Sequence, residues 1–301
     1  MIQELGFCPT DRVVIINADD LGVTRSTNQA IMQMFKNNAI TSTSIMVPAD
    51  AALDAALQST KEMNVGIHIT LTSHKSRFYK PINKLNKFSS LTNEHGYFYD
   101  EVSNFEKNAD LDEVRIEVEA QIQTAISLGI EPTHLDNHAG SILGLYNNRD
   151  FLEVIFYLCQ KYALPFCLPI RILEHPSFSS EQKQMFRQRI HLANQLGVRL
   201  IDDIAGLTYH FSSEEGYEGA KKELIKQINN LKPGITQITT HPSIVSDELK
   251  ELTKYYENRE IEYQLYNDPD VKELIKNQNI KLISWKEIRD LQRNSFSLKY
   301  Y

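Results

Sequence analysis

The run Val13-Val14-Ile15-Ile16-Asn17-Ala18-Asp19-Asp20-Leu21-Gly22 decides how this chain is read. Its apolar β-branched opening fits a strand buried on both faces, as in a parallel sheet. The strand runs into two adjacent carboxylates. Such a pair repels itself and loses hydration at a strand mouth, so a fold gains little from it. Chemistry can use it, one carboxylate as ligand to a hard cation and the other as proton acceptor beside it. The structural alternative is a solvated loop in which one Asp caps the next helix.

Outward from this run, short β-rich stretches at 13–17, 42–47, 65–71, 133–137, 166–171, 199–202, 235–240 and 280–284 alternate with helical patterns. The helical patterns lie near 27–37, 49–61, 111–128, 150–162, 180–196, 217–231 and 248–277, the last broken near Asp268-Pro269. The alternation predicts an α/β chain and, at this length, a (β/α) barrel. A doubly wound open sheet has the same alternation. We read residues 1–301 as a single barrel domain with a loop insertion near 73–109, where neither helical nor strand period holds. Phe78, Tyr79, Phe88, Tyr97, Phe98 and Tyr99 in that loop either form a wall for a sugar ring or pack the loop onto the body. Its Lys75, Arg77 and Lys80 are candidates for meeting a phosphate, or simply solvated charges.

Composition narrows the function. Thirty-two basic and 39 acidic residues give a net charge of −7 with no basic block, which argues against a nucleic-acid surface. No apolar run is long enough to span a bilayer, and residues 1–10 carry no secretory signal. Cys8, Cys159 and Cys167 are far apart and without a Cys-x-x-Cys pair, so they read as buried thiols in a reducing cytoplasm.

Titratable groups recur at the ends of other predicted strands. In Gly66-Ile67-His68-Ile69-Thr70-Leu71 the apolar residues share one strand face, and His68 and Thr70 share the other. A core histidine with one satisfied nitrogen is the bland reading, but the end of a barrel strand is where catalytic groups gather. In His134-Leu135-Asp136-Asn137-His138, residues 134, 136 and 138 project to one side. Three such groups need a wet cleft, a metal or one another. His138 is the better ligand candidate, and Asp136 is placed to orient a histidine from behind. Thr239-Thr240-His241-Pro242 ends another strand in a histidine. Together these segments offer an Asp and two His for one divalent ion, with a further Asp and His beside it. That set leaves coordination open for water and substrate and suits amide or ester hydrolysis.

These residues resemble the YdjC-like carbohydrate deacetylases, including the chitooligosaccharide deacetylases of the ChbG type. The resemblance rests on Asn17-Ala18-Asp19-Asp20-Leu21-Gly22 with Asn28, on Thr41 to Val47, on Gly66 to Leu71 and on Thr133 to His138. It resumes at Thr240-His241-Pro242 and at 280–284. It implies a distorted (β/α) barrel of the polysaccharide-deacetylase type. By position it implies Asp20, His68 and His138 as metal ligands, Asp19 as catalytic base and His241 as acid. The implied cofactor is one divalent ion, zinc or magnesium. The implied reaction removes acetyl from an N-acetylglucosamine unit of a small chito-oligosaccharide, with or without a phosphate. After His138 this chain has Ala139-Gly140 where the family often has further histidines. The expected partner is a small oligosaccharide, not nucleic acid or membrane, with a homodimer left open. Two other classes compete: a glycoside or sugar-phosphate hydrolase in the same barrel, and a sugar-binding protein without turnover.

Overall fold

The computed structural model describes residues 1–84, 89–208 and 216–297. Phe88, one of the loop aromatics named above, lies outside them. In chain order the elements begin β1 Arg12–Leu21, α1 Arg25–Lys36, β2 Ser42–Ile45, α2 Ala52–Gln58, β3 Val65–Ile69, α3 Val102–Asn108, α4 Leu111–Ser127 and β4 Leu135–Asn137. They continue α5 Leu152–Tyr162, α6 Ser180–Leu196, β5 Asp203–Ala205, α7 Gly216–Asn229 and β6 Gly234–Thr240. The chain closes with α8 Asp247–Leu252, α9 Tyr256–Asn267, α10 Pro269–Asn277, β7 Lys281–Leu282 and α11 Trp285–Ser297.

Every named strand pairing is parallel, in the order β4-β3-β2-β1-β6-β5. Past β4 the ladder continues through single pairings, Leu135 with Phe166 and Pro169 with Ile201. Cys167 N–H donates to Leu135 O, Ile170 N–H to Ile201 O and Asp202 N–H to Ile235 O. The sheet therefore closes on itself, which selects the barrel over the open sheet. The closure is uneven. The strands expected at 166–171 and 199–202 shrink to isolated bridges, because Pro165 and Pro169 lack ladder donors and 170–174 turns into a 3₁₀ helix. The strand expected at 280–284 is also short, and pairs with Val13 and Val14 at the lower end of β1.

Alternation along the strands divides the molecule into two environments. Val14, Ile16 and Ala18 belong to the large cluster beneath the helices, with Ile45, Ile67, Ile69 and Leu135. Val13 and Ile15 belong to a separate cluster with Ile201, Ile235, Ile283, Trp285 and Ile288. These fill the lower barrel interior. Asn17 and Asp19 follow on the same face of β1, Ser42 and Ser44 on β2, Gly66 and His68 on β3, His134 and Asp136 on β4, and Gln237 and Thr239 on β6. The interior passes from hydrocarbon to charge along each strand.

Three helical expectations change. The region 248–277 holds α8, α9 and α10, with the last break at Asp268 as expected; Asp268 caps α10 through Asp270 N–H. Helix α11 has no counterpart in the sequence reading, since half of its buried positions (Arg289 and Gln292 beside Trp285 and Ile288) are polar. The segment 73–109 is more ordered than its composition predicts. It contains α3 and a Thr92–Phe98 bridge, and it is pinned by buried Tyr79, Leu91, Phe98 and Phe105. Cys8 is exposed, contrary to expectation, while Cys159 is buried and Cys167 half-buried. Among the described residues no helix is long and apolar enough to cross a membrane.

Candidate metal centre

Strand parity alone would send Asp19 inward and Asp20 outward. The register between β1 and β2 shifts after Ala18, and Asp20 takes a left-handed φ of 65°. Asp tolerates that conformation better than most residues. The kink turns both carboxylates into the barrel mouth. Asn17 Nδ2 donates to Asp19 Oδ1 at 2.7 Å, and Arg259 of α9 donates to Asp20 Oδ2 at 2.5 Å.

This leaves Asp20 Oδ1 buried without a hydrogen-bond partner. It faces two ring nitrogens, His68 Nε2 at 3.4 Å and His138 Nδ1 at 3.4 Å. His68 is itself oriented from behind, with Nδ1 2.8 Å from Asp136 Oδ1. Asp136 Oδ2 accepts from Ser44 Oγ–H at 2.6 Å. A proton held on His68 Nδ1 by Asp136 fixes the ring so that Nε2 is the atom turned toward Asp20.

The three facing atoms lie within 4.8 Å of one another. Two donors bound at about 2.1 Å and at a tetrahedral angle stand about 3.4 Å apart, so the spacing fits a divalent ion. The orphaned Asp20 Oδ1 gives the same answer, because a buried unpaired carboxylate oxygen is costly unless a cation completes it. A second grouping, Asp19, His68 and Asp136, shares His68. Its Asp136 is already engaged at His68 Nδ1, so Asp20, His68 and His138 are the better cradle.

Charge in the mouth is strongly perturbed. Burial opposes ionisation of Asp20, but Arg259 and the neighbouring imidazoles hold its pKa well below the usual carboxylate range. Asp19 goes the other way: burial, opposed by His68 and reinforced by Asp136 and Asp20, pushes it well above that range. Asp136 and Asp19 overcome burial to raise His68 well above an ordinary imidazole. Burial pushes His241 down to about 4, so its ring is neutral near pH 7. His241 Nε2 lies 3.9 Å from Asp19 Oδ2, the oxygen that His68 Nε2 approaches to 4.0 Å.

These groups line a cavity of about 880 Å³, whose apolar lining includes Cys167, Leu168, Ile172 and Phe178. From the 73–109 segment, Ser73, His74, Lys75, Asp100 and Val102 reach it. None of the described loop aromatics lines it; of the two roles open to them, packing onto the body holds for buried Tyr79 and Phe98, while Phe78 is half-exposed. Of the three loop cations only Lys75 borders the cavity; Arg77 is paired with Glu248 and Asp50, and Lys80 lies over Tyr97.

The structure thus brings Asp19, Asp20, His68, His138 and His241 to one mouth. Sequence reasoning missed Arg259, Glu262 and His74. Arg259 and Glu262 were legible as polar members of the stripe Asn258, Arg259, Glu262, Leu265 and Tyr266, which α9 buries. Glu262 accepts from Thr240 Oγ1–H at 2.5 Å and from His241 N–H at 2.6 Å, fixing the end of β6. His74 packs edge-on to His138 with centroids 5.1 Å apart; only its place soon after His68 could have marked it.

The sequence profile of YdjC-like protein matches residues 13–277. The chain belongs to the YdjC-like family. A family relative from Thermoanaerobacter pseudethanolicus, named carbohydrate deacetylase, is 30% identical over 277 residues, covering 91% of this chain and 98% of its own. One of the same name from Enterococcus faecalis is 28% identical over 282 residues, covering 93% and 99%. Among solved structures, an E. faecalis protein provisionally named a cellobiose-phosphate cleavage protein superposes with a TM-score of 0.74 at 27% identity, covering 92% and 99%.

Proposed function

We propose that this YdjC-like protein is a metal-dependent carbohydrate deacetylase acting on N-acetylated units of small saccharides. The observation that carries the reading is the orphaned Asp20 Oδ1 facing His68 Nε2 and His138 Nδ1, with a second carboxylate, Asp19, beside it. The names of the family relatives support the reaction class.

Asp20, His68 and His138 would hold zinc or magnesium. Such an ion, when bound, supplies Lewis acidity toward the amide carbonyl and acidifies water. The chain's own groups carry the protons. Asp19 Oδ2, freed on one side because Asn17 holds only Oδ1, accepts a proton as water attacks the acetyl carbon. That proton passes from Asp19 to His241, whose neutral ring lies 3.9 Å away and can accept it, and His241 hands it on to the sugar nitrogen as the C–N bond breaks, so the products are acetate and a free amine. Arg259 keeps Asp20 ionised throughout. Glu262 holds the His241 backbone in place.

Glycoside cleavage is disfavoured. It requires two carboxyl groups flanking a bond, whereas Asp19 and Asp20 are sequence neighbours and Asp20 is tied to Arg259. Chito-oligosaccharides are the substrates proposed, and the phosphosugar in the E. faecalis neighbour's name supports including phosphorylated forms. The test is acetate release from chitobiose, its phosphate and longer oligomers, with and without chelator. Acetate that disappears with chelator and returns with zinc or magnesium is the expected result. Reducing ends released without acetate would replace this reading by glycoside cleavage.

A further inference from the structure

His134 belongs to the motif that supplies His138, yet neither the proposed ion nor the proposed proton transfers use it. It is fully buried. Its ring lies against the Trp285 ring, centroids 4.7 Å apart and planes 13° from parallel. On the other side it abuts Gly66, where a Cβ would fall 2.2 Å from His134 Cε1. Glycine at 66 is therefore required by close approach. Nδ1 lies 3.0 Å from Thr133 Oγ1. Nε2 is buried with no hydrogen bond of ordinary length among the described residues, and Asp136 Oδ2 stands 3.5 Å from it.

A titratable ring clamped so tightly, with its free nitrogen toward a carboxylate, is an unusual choice for simple filling; Phe or Leu would fill an apolar slot without a desolvated nitrogen. Asp136 explains the choice. Its Oδ1 orients His68, while its Oδ2 faces Ser44 Oγ and His134 Nε2. We infer that His134 is a positioning residue, which braces Asp136 from below and through it fixes the rotation of His68 toward Asp20 and His138. The chain of contacts begins at Trp285, the first residue of α11, and ends at the barrel mouth. The consequence for ion binding rests on the proposed metal reading; the consequence for the His68 ring does not.

The test compares His134→Leu with His134→Gln in the full-length protein. Both lose the ring stack on Trp285, but the Gln amide nitrogen can occupy the position of Nε2. Zinc affinity by chelator competition should fall roughly 10–100-fold in His134→Leu, the scale for removing an outer partner of a ligand, and recover in His134→Gln. The two variants should share one loss of Tm. In nitrogen-labelled histidine spectra taken before zinc is added, the low-field His68 Nδ1–H signal should persist in the parent and in His134→Gln and broaden away in His134→Leu. Parent-like affinity and an intact His68 signal in His134→Leu would overturn the inference, leaving His134 a filler. If His134→Leu does not fold, His134→Asn, too short to reach Asp136, gives the same reading. A parent that binds no divalent ion sinks the metal reading instead, while the His68 signal still decides the role of His134.

Discussion

The lower interior of the barrel, formed by Val13, Ile15, Ile201, Ile235, Ile283 and Trp285, has almost nothing to hydrogen-bond. The upper interior, further along the same strands, gathers Asp19, Asp20, His68, Asp136 and His138 within a few ångströms. The same strands run through both halves, so the difference lies in the side chains and in the kink at Asp20 that turns its carboxylate inward. Below, burial is favourable and the layer stabilises the fold. Above, burial opposes charge, and neighbouring charges decide the outcome: Arg259 and the imidazoles keep Asp20 ionised, while Asp19 and His68 hold their protons more tightly than they would in water. The lower layer supplies the rigidity that keeps the upper one assembled.

If that division holds, Asp19→Asn should show the largest effect. It should lower kcat by roughly 10²–10⁴-fold, the usual range for a lost general base, with ion binding and Tm close to the parent. Near-parent turnover would move the base elsewhere. Asp20→Asn should show the complementary pattern, losing ion affinity first, which separates two neighbouring carboxylates by calorimetric titration with zinc.

Ile235→Ala, in the lower layer, should invert the pattern. A large-to-small change at a fully buried site costs about 2–5 kcal/mol of stability, read by denaturant unfolding, with kcat of the folded protein unchanged. A turnover defect as large as that of Asp19→Asn would show that the two layers are not separable.

Glu262 sharpens the boundary between layers through pH. Burial raises its pKa from 4.5 to about 6. The folded chain therefore keeps a proton between those values that the unfolded chain has lost. The stability this group contributes is full below pH 4.5 and is lost as pH rises through 6, by up to about 2 kcal/mol. Glu262→Gln, which keeps an acceptor for Thr240 and His241, should flatten that slope and be the more stable protein at pH 8. A slope unchanged by the substitution would assign it to another group.

The smallest effect is expected at the rim. Lys75, exposed and paired with Glu101, should matter only for phosphorylated sugars. Lys75→Ala should raise KM for chitobiose phosphate by no more than about fivefold, the range of exposed ion pairs, and leave that for chitobiose unchanged. Equal effects on both would remove Lys75 from phosphate recognition.

The lower layer and the strand-end groups were legible in the sequence because alternation with period two fixes which side chains share a face; His68 and His138 needed nothing more. Asp20 was legible as a residue but not as an inward one, since the left-handed kink that turns it is invisible to alternation. Arg259 and Glu262 reach the site from a helix more than 200 residues after β1; their place in the stripe of α9 marks them as buried, but only tertiary packing shows which groups they meet. The staves at 166–171 and 199–202 were overread, because apolar content signals burial whether or not proline permits a ladder.

Strand β1 pairs with β6 and β7, and its Asp20 is held by Arg259. A ribosome releasing roughly 5–20 residues per second needs about 10–45 s between making β1 and making β6. For that interval the apolar run Val13 to Ile16 has emerged without the strand it pairs with along its whole length. The pairing of first strand with nearly last also gives the barrel a high contact order, which slows folding. Successful synthesis in the cell therefore depends on keeping residues 12–16, which β2 does not cover, from other partners until β6 arrives.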